Sequence, residues 1–203
     1  MMNPVYEAGE RDPPNNGNGC GQGAVAAAIV IMGVSGAGKT TIGKILAEAL
    51  CCDFLDADDF HPESNKEKMR NGIPLCDADR MPWLETIRNV LRGYILDRKP
   101  VVLACSALRK MYRETLRTAD PRYTSGAHCN LVKFVFLDVS AEILAKRMSE
   151  RAAERKHFMP VALLRSQLDL LEIDPVEEGI LHVDGAQKSS PIVSNIQDFI
   201  LGS

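Results

Sequence analysis

The eight residues from Gly33 to Thr40 limit this chain to few folds, because they read GVSGAGKT and match the pattern GxxxxGK[ST]. A predicted apolar strand at 26–32 precedes them, and a predicted amphipathic helix follows them. In such a strand–loop–helix unit, the glycines let backbone N–H groups form a concave nest. The helix N-terminus adds partial positive charge beneath that nest. The segment therefore predicts a phosphate-binding loop within a parallel α/β sheet.

The same loop predicts how a nucleoside triphosphate is held. Lys39 is expected to reach the β- and γ-phosphates, and the Thr40 hydroxyl is expected to bind Mg²⁺. ATP and Mg²⁺ are therefore the expected cofactors. The candidate nucleotide-binding residues of the loop are Gly33, Val34, Ser35, Gly36, Ala37, Gly38, Lys39, Thr40 and Thr41.

Beyond the loop, apolar runs alternate with amphipathic segments, which predicts a single α/β domain over residues 25–203. Within it, a long apolar stripe predicts a helix that begins at Pro82, since proline suits a first helical turn. Residues 1–24 are rich in Gly, Asn and Pro, and we expect them to form a disordered tail without a secretory or transit signal.

The composition excludes several classes of function. A net charge of −3 over 203 residues gives no general attraction to nucleic acid or to an anionic membrane. The apolar run at 24–32 is far shorter than the ~20 residues that span a membrane. The six cysteines form no CxxC pair, so the sequence predicts no zinc site. We expect a cytoplasmic protein with reduced thiols and with neither a nucleic-acid nor a membrane partner.

Two carboxylates follow the second predicted strand, at Asp56 and Asp58. Their spacing places both side chains on one side of the strand, and parallel sheets bind ligands at the carboxyl ends of their strands. We expect one carboxylate, assigned as Asp56, to support Mg²⁺, and the other, Asp58, to take a proton from an acceptor hydroxyl. A polar strand end that only caps a helix is the alternative. His61 is a candidate donor to a polyol hydroxyl or to Asp58.

Two groups of basic residues are candidates for binding the acceptor and for closing the site. The first group could bind a substrate carboxylate, since arginine does so through paired hydrogen bonds. Its members are Lys68, Arg80, Arg109 and Arg113. In the second group, Arg147, Arg151 and Arg155 recur every four residues and would form one stripe of a helix, able to neutralise charge on a transferred phosphoryl group. For both groups an ordinary solvated face is the alternative.

Several stretches of the chain resemble the gluconokinase family of P-loop kinases, namely GVSGAGKT, LDADDFHPESNKEKMRNGIPLCDADRMPWL, ACSALRKMYRETLR, RKHFM and SQLDLLE. The resemblance implies a five-stranded parallel sheet flanked by helices, an acceptor-binding segment at about 59–98, a lid at about 147–160 and a homodimer. It also implies transfer of the γ-phosphate of ATP to the terminal hydroxyl of D-gluconate, with the carboxylate at the Asp58 position facing that hydroxyl. The candidate substrate-binding residues are Asp58, His61, Lys68, Arg80, Ser106, Arg109, Arg113 and His157.

The sequence departs from the family at a few positions, and two other functions stay open. Ala57 and Arg155 stand where many relatives have Gly, and no aspartate ends the strand at 101–105 to support the metal. A kinase for another small acceptor, such as shikimate or a nucleotide, is the first alternative. A non-catalytic ATP-binding module is the second, although the presence of both Lys39 and Asp58 argues against it.

Overall fold

The computed structural model describes residues 28–124, 131–153, 162–174 and 177–202. The predicted tail at 1–24 and much of the predicted lid at 147–160 therefore lie outside the described residues. Along the chain, the elements are β1 (Ala28–Met32), α1 (Lys39–Ala49), β2 (Asp53–Asp56), a 3-10 turn (Ala57–Phe60), α2 (Glu63–Arg70), α3 (Asp77–Leu96), β3 (Val101–Ala104), α4 (Lys110–Arg117), β4 (Val132–Asp138), α5 (Ala141–Ala153), α6 (Ala162–Asp169), β5 (Ile180–Asp184) and α7 (Ser189–Leu201).

The five strands form one parallel sheet in the order β2-β3-β1-β4-β5, which confirms the predicted α/β fold. β1 lies in the centre, and the chain builds first one side of the sheet and then the other. In open parallel sheets, ligands bind outside the carboxyl ends of the strands where this direction changes. Here that place is the end of β1, where the loop 33–38 begins.

Both faces of the sheet are covered by helices. Every residue of β1 is buried, with Ile29 and Ile31 in the apolar cluster that includes α1 and α7. Val30 and Met32 belong to the opposite cluster, which includes α3 and α4. Burial on both faces explains why β1 is a continuous apolar run and not an alternating one. Among the described helices, none is long and apolar enough to cross a membrane.

One predicted boundary is wrong, because the long helix α3 begins at Asp77 and carries Pro82 in its interior. The carboxylate of Asp79 accepts a hydrogen bond from the backbone N–H of Cys76 at 3.0 Å, which satisfies an exposed donor at the helix start. Asp77 and Asp79 also place negative charge at the positive end of the helix dipole. These contacts offset the hydrogen bond that Pro82 cannot donate. As a result, Arg80 lies on the helix and not in a loop.

Candidate active site

The phosphate-binding loop adopts a backbone that depends on glycine. Gly36 and Gly38 have φ values of 86° and 104°, in the left-handed region that residues with a Cβ rarely adopt. A Cβ added to Gly36 would also lie 3.2 Å from the Cγ of Met148. Gly38 is the N-cap of α1 and provides no side chain to cap it. The N–H groups of the first turn of α1 therefore remain available for an anion.

A cavity lies where this loop meets the carboxyl ends of the strands, and residues from α2, α3 and α6 complete its walls. It brings together more than half of the predicted site residues. Those that line it are Ser35, Gly36, Gly38, Lys39, Thr40, Thr41, Asp56, Asp58, His61, Arg80 and Ser106. The nucleotide loop and the proposed acceptor residues thus share one continuous space.

A hydroxyl and a carboxylate lie together at the start of α1 and the end of β2. The Oγ1 of Thr40 donates to the Oδ2 of Asp56 at 3.0 Å, and the other oxygen of Asp56 accepts from the backbone N–H of Asp58 at 3.2 Å. Mg²⁺ prefers such oxygen ligands and takes only one or two from the protein when phosphates and water supply the rest. The Thr40–Asp56 pair therefore fits the ion of an Mg·ATP substrate.

The neighbouring strand β3 supplies no charge at the same level. Ala104, its last residue, pairs with Asp56 in the sheet register. Cys105 follows, and burial raises the pKa of its thiol to about 12, so the thiol stays neutral. Asp56 on β2 thus provides the carboxylate that the sequence lacked at the end of β3.

Asp58 lies in the cavity beside the phosphate-binding loop. Its side chain is exposed to the cavity but withdrawn from bulk water, and this desolvation raises the pKa of the Asp58 carboxyl. The positive charge of Lys39 acts in the opposite direction and lowers that pKa, while the negative charge of Asp56 raises it. The amine of Lys39 donates to the carbonyl oxygen of Val34 at 3.0 Å. A carboxylate of increased basicity is thus held next to the cation that is predicted to hold the phosphates.

Three further residues that line the cavity are His61, Arg80 and Trp83, which we call the acceptor wall. The ring of His61 stacks on that of Trp83 with centroids 4.1 Å apart and an angle of 13° between the planes. The indole N–H of Trp83 donates to the carbonyl oxygen of Ala57 at 2.8 Å, which fixes the indole. Trp83 belongs to the apolar stripe that predicted α3, so it serves the core and the cavity at once.

Of the four basic residues predicted to bind a substrate carboxylate, the structure brings only Arg80 to the cavity. Arg80 donates to the hydroxyl of Tyr112 at 3.4 Å, and it has no ion pair with a carboxylate among the described residues. Lys68 pairs with Asp79 at 2.7 Å, and Arg109 pairs with Asp77 and with a glutamate of the segment after α6. Arg80 is thus the basic residue of this group best placed to receive an anionic acceptor.

Arg113 is buried and lies away from the cavity wall. Its Nε donates to the carboxylate of Glu177 at 2.9 Å, and its other nitrogens donate to the carbonyl oxygens of Ala107 and Glu172 at 3.0 and 2.8 Å. A buried guanidinium requires this number of acceptors, because an unpaired one is costly. Its position joins α4 to the segment before β5, and we do not carry Arg113 into the proposed acceptor site.

The second basic group lies only partly within the described residues. Arg147 on α5 donates to the carbonyl oxygens of Gly36 and Ala37 at 3.4 Å and to that of Gly185 at 3.1 Å, so it supports the phosphate-binding loop from behind. The side chain of Arg151, and all of Arg155 and His157, lie outside the described residues. Their predicted roles stay predictions.

Sequence reasoning missed two polar residues of the cavity on α6, Ser166 and Gln167. The carboxamide oxygen of Gln167 accepts a hydrogen bond from the backbone N–H of Ser35 at 2.7 Å. Leu164, one helical turn earlier, is buried in the core and holds the helix in place. The leucines of the segment SQLDLLE indicate the side of the helix that packs on the core. The glutamine that lies among these leucines was the sequence signal for a polar residue that lines the site.

Comparisons with known proteins agree with this geometry. The model of the shikimate kinase family matches residues 35–197. A gluconokinase of Arabidopsis thaliana is 54% identical over 176 residues, which cover 86% of this chain and 93% of that protein. The thermosensitive gluconokinase of Escherichia coli (strain K12) is 42% identical over 156 residues, which cover 76% of this chain and 77% of that protein.

Comparison with solved structures agrees with these sequence comparisons. The crystal structure of a gluconokinase from Sinorhizobium meliloti 1021 superposes with a TM-score of 0.71 at 42% identity, covering 85% of this chain and 90% of that one. A shikimate kinase from Acinetobacter baumannii in complex with shikimate has a TM-score of 0.51 at 21% identity, covering 87% of this chain and 93% of that one. The second likeness concerns the fold alone.

Proposed function

This chain belongs to the gluconokinases, within the shikimate kinase family of P-loop domains, and we propose that it transfers the γ-phosphoryl group of ATP to the terminal hydroxyl of D-gluconate. This proposal rests on the observation that one cavity is lined both by the phosphate-binding loop and by Asp58 and Arg80. That arrangement has a place for the donor, a base for the acceptor hydroxyl and a cation for the acceptor's carboxylate.

The phosphate side of the cavity holds the donor. Backbone N–H groups of the loop and of the first turn of α1 bind phosphate oxygens, and Lys39 reaches the β- and γ-phosphates. The Thr40 hydroxyl and the Asp56 carboxylate, 3.0 Å apart, would hold the Mg²⁺ that enters with ATP, and this ion would supply positive charge to the phosphates.

Asp58 acts as the base. As the acceptor hydroxyl oxygen forms its bond to the γ-phosphorus, the bond from that phosphorus to the β–γ bridging oxygen breaks, and the hydroxyl proton passes to the Asp58 carboxylate. Desolvation raises the pKa of Asp58, which strengthens it as a base, and Lys39 keeps it ionised. The products are 6-phosphogluconate and ADP.

The acceptor wall gives preference for a sugar acid. Arg80 supplies a cation that lacks an acidic partner among the described residues, so a substrate carboxylate can complete its charge balance. His61 adds a polar group suited to a hydroxyl. A neutral polyol of the same length would leave the Arg80 guanidinium without a direct carboxylate partner, and we expect it to bind less well for that reason.

The alternatives are less well supported. The shikimate kinase family model and the shikimate kinase structure share the fold, but identities of 37–54% over most of the chain are found with gluconokinases. A non-catalytic ATP-binding module has no need for a base, and Asp58 lies in the cavity next to Lys39.

The remaining parts of the proposal concern assembly and closure. We propose that residues 25–203 form one catalytic domain, that 59–98 bind the acceptor, and that 147–160 form a lid whose Arg151 neutralises the transferred phosphoryl group. Arg151→Ala should then lower kcat more than it raises the KM for gluconate. We also propose a cytoplasmic homodimer, to be tested by light scattering after size-exclusion chromatography.

The test of the function is an assay of ADP release from Mg·ATP with gluconate, shikimate, glycerate, glucose and AMP as acceptors. The gluconate product should also be oxidised by added 6-phosphogluconate dehydrogenase, which recognises the position of the phosphate. Turnover on gluconate alone supports the proposal. Turnover on another acceptor would keep the kinase and discard gluconate, and ATP binding without any turnover would favour the non-catalytic module.

A further inference from the structure

A buried amide lies behind His61 and determines which ring nitrogen carries hydrogen. Asn65 on α2 is 3% exposed, and its Nδ2 lies 2.9 Å from the backbone oxygen of Asp79 and 3.3 Å from the Nδ1 of His61. A backbone carbonyl can only accept a hydrogen bond, so the amide nitrogen and not the amide oxygen must face Asp79. The same nitrogen then presents its second hydrogen to His61. The Nδ1 of His61 must therefore accept, and it carries no hydrogen.

From this geometry we propose that Asn65 is a positioning residue that holds neutral His61 as the tautomer with hydrogen on Nε2, so that the ring donates to an oxygen of the acceptor substrate. His61 lines the cavity, and Nε2 is the ring nitrogen that Asn65 leaves for a ligand. The identity of that oxygen rests on the proposed function, since gluconate offers both hydroxyl and carboxylate oxygens.

The surroundings of His61 keep the ring neutral. Desolvation by burial, followed by the positive charges of Arg80 on α3 and Lys66 on α2, lowers the pKa of His61 to about 4. Stacking on Trp83 at 4.1 Å hinders rotation of the ring, and the hydrogen bond from Trp83 to Ala57 fixes the stacking partner. Near neutral pH the His61 ring therefore neither takes up a proton readily nor flips readily, and Nδ1 stays beside Asn65.

This assignment gives His61 and Asp58 different roles toward the acceptor. A neutral imidazole that donates through Nε2 and accepts through Nδ1 has no free lone pair for the acceptor's proton. His61 therefore orients the acceptor and does not compete with Asp58 as base. The donor also rejects ligands that would present an N–H or an apolar group at that position, because its hydrogen bond would be lost.

The test reads the tautomer directly. The full chain is labelled with ¹⁵N-histidine, and long-range ¹H–¹⁵N spectra are recorded from neutral pH down to about pH 5, around one unit above the low pKa of His61. The His61 signals are assigned by their loss in His61→Gln. We expect Nδ1 to show the shift of an unprotonated nitrogen and Nε2 that of a protonated one. A protonated Nδ1 in the neutral ring, or a cationic ring at neutral pH, would overturn the proposal.

A substitution then reverses the polarity of the contact. In Asn65→Asp the carboxylate accepts from Nδ1, so the ring should change tautomer or become a cation, and the KM for gluconate should rise about tenfold. The KM for ATP should stay within about twofold, since the loop is untouched. Asn195→Asp introduces the same charge at an exposed position of α7, outside the acceptor-binding segment, and should change neither the spectrum nor the kinetics.

The two hypotheses fail in different ways. A wild-type spectrum as expected, without turnover of gluconate, would discard the proposed substrate and keep the role of Asn65. Turnover of gluconate with the opposite tautomer would do the reverse. If Asn65→Asp does not fold, the wild-type spectrum still decides, because it needs neither the variant nor activity. An Asn65→Asp protein that folds and keeps a neutral ring with hydrogen on Nε2 alone would contradict the positioning role.

Discussion

The phosphate-binding loop and the acceptor wall line one cavity, yet they are built in different ways. The loop offers mainly backbone N–H groups from eight contiguous residues, 33–40, at the end of a buried strand. The wall offers the side chain of His61, which follows the 3-10 turn, and two side chains of α3. A backbone site needs only a local conformation, whereas a side-chain site needs every supporting contact behind it. Substitutions in the wall should therefore alter which acceptor is phosphorylated. Substitutions in the loop should instead lower the phosphorylation of every acceptor.

The supporting contacts of the wall show this dependence. Trp83 is fixed by the carbonyl oxygen of Ala57, and His61 is fixed by Trp83 and Asn65. Of these supporting groups, Ala57 and Asn65 do not line the cavity and need touch no substrate. The loop, in contrast, depends on glycines with positive φ and on the packing of β1 and α1. Substitutions near the wall can thus damage specificity from a distance.

The largest effect is expected where the two regions meet. Asp58→Asn should lower kcat by roughly 10²–10⁴-fold, since the amide cannot take the acceptor's proton. ATP affinity, measured by titration calorimetry, should hardly change. Asp59→Asn, at the exposed neighbouring position, is the matched control and should retain activity. A loss of less than tenfold for Asp58→Asn would show that another group takes the proton. Asp58 would then no longer be the residue that connects the loop with the acceptor wall.

The loop itself gives the next effect. Lys39→Ala should lower kcat on the order of 10²–10³-fold, because a cation that stabilises the transferring phosphoryl group is lost. The KM for gluconate should stay close to that of the wild type if the regions are separable. Lys44→Ala, on the exposed side of α1, controls for the loss of a lysine from this helix. An unchanged kcat for Lys39→Ala would defeat the assignment of the loop.

The wall gives an effect on binding rather than on chemistry. Arg80→Gln should raise the KM for gluconate by roughly 10–100-fold, as expected for loss of a hydrogen bond to a charged group, with a much smaller change in the KM for ATP. Arg92→Gln, on the exposed face of the same helix, should behave as the wild type. If the KM for ATP rises as much as that for gluconate, Arg80 belongs to the donor side.

The smallest effect concerns a contact between the loop and α6. The oxygen of Gln167 accepts from the Ser35 N–H at 2.7 Å, and we expect a bound nucleotide to compete for that donor. Gln167→Ala should therefore bind ATP equally well or up to about threefold more tightly in calorimetry. The exposed Gln187→Ala is the control. Tenfold weaker binding of ATP by Gln167→Ala would show that Gln167 holds the nucleotide.

The contrast also explains which features the sequence predicts. The loop, the strand pattern and the Asp56–Asp58 pair depend on neighbours within a few residues, so local patterns were enough. Arg80 and Arg113 both lie in charged segments, and what separates them is Glu177, which pairs with Arg113 from 64 positions away. The contact between Gln167 and Ser35 spans 132 positions. Such partners follow from the tertiary fold, which residue spacing does not reveal.

The prediction of where α3 begins was wrong for a related reason. Pro82 is a good first residue of a helix, and a single-position preference favoured it. Cys76 and Asp79 form a cap whose contacts outweigh this preference, and no apolar stripe marks those residues. The error placed Arg80 before the predicted helix, although Arg80 was still predicted to bind the substrate.

The most direct test of the account is the ratio of kcat/KM for D-gluconate to that for D-glucitol, its uncharged counterpart, in the wild type and in Arg80→Gln. The account predicts a strong preference for gluconate in the wild type that falls by at least about tenfold in Arg80→Gln. Equal turnover of both acceptors by the wild type, or a preference that survives in Arg80→Gln, would contradict the claim that the acceptor wall selects the sugar acid.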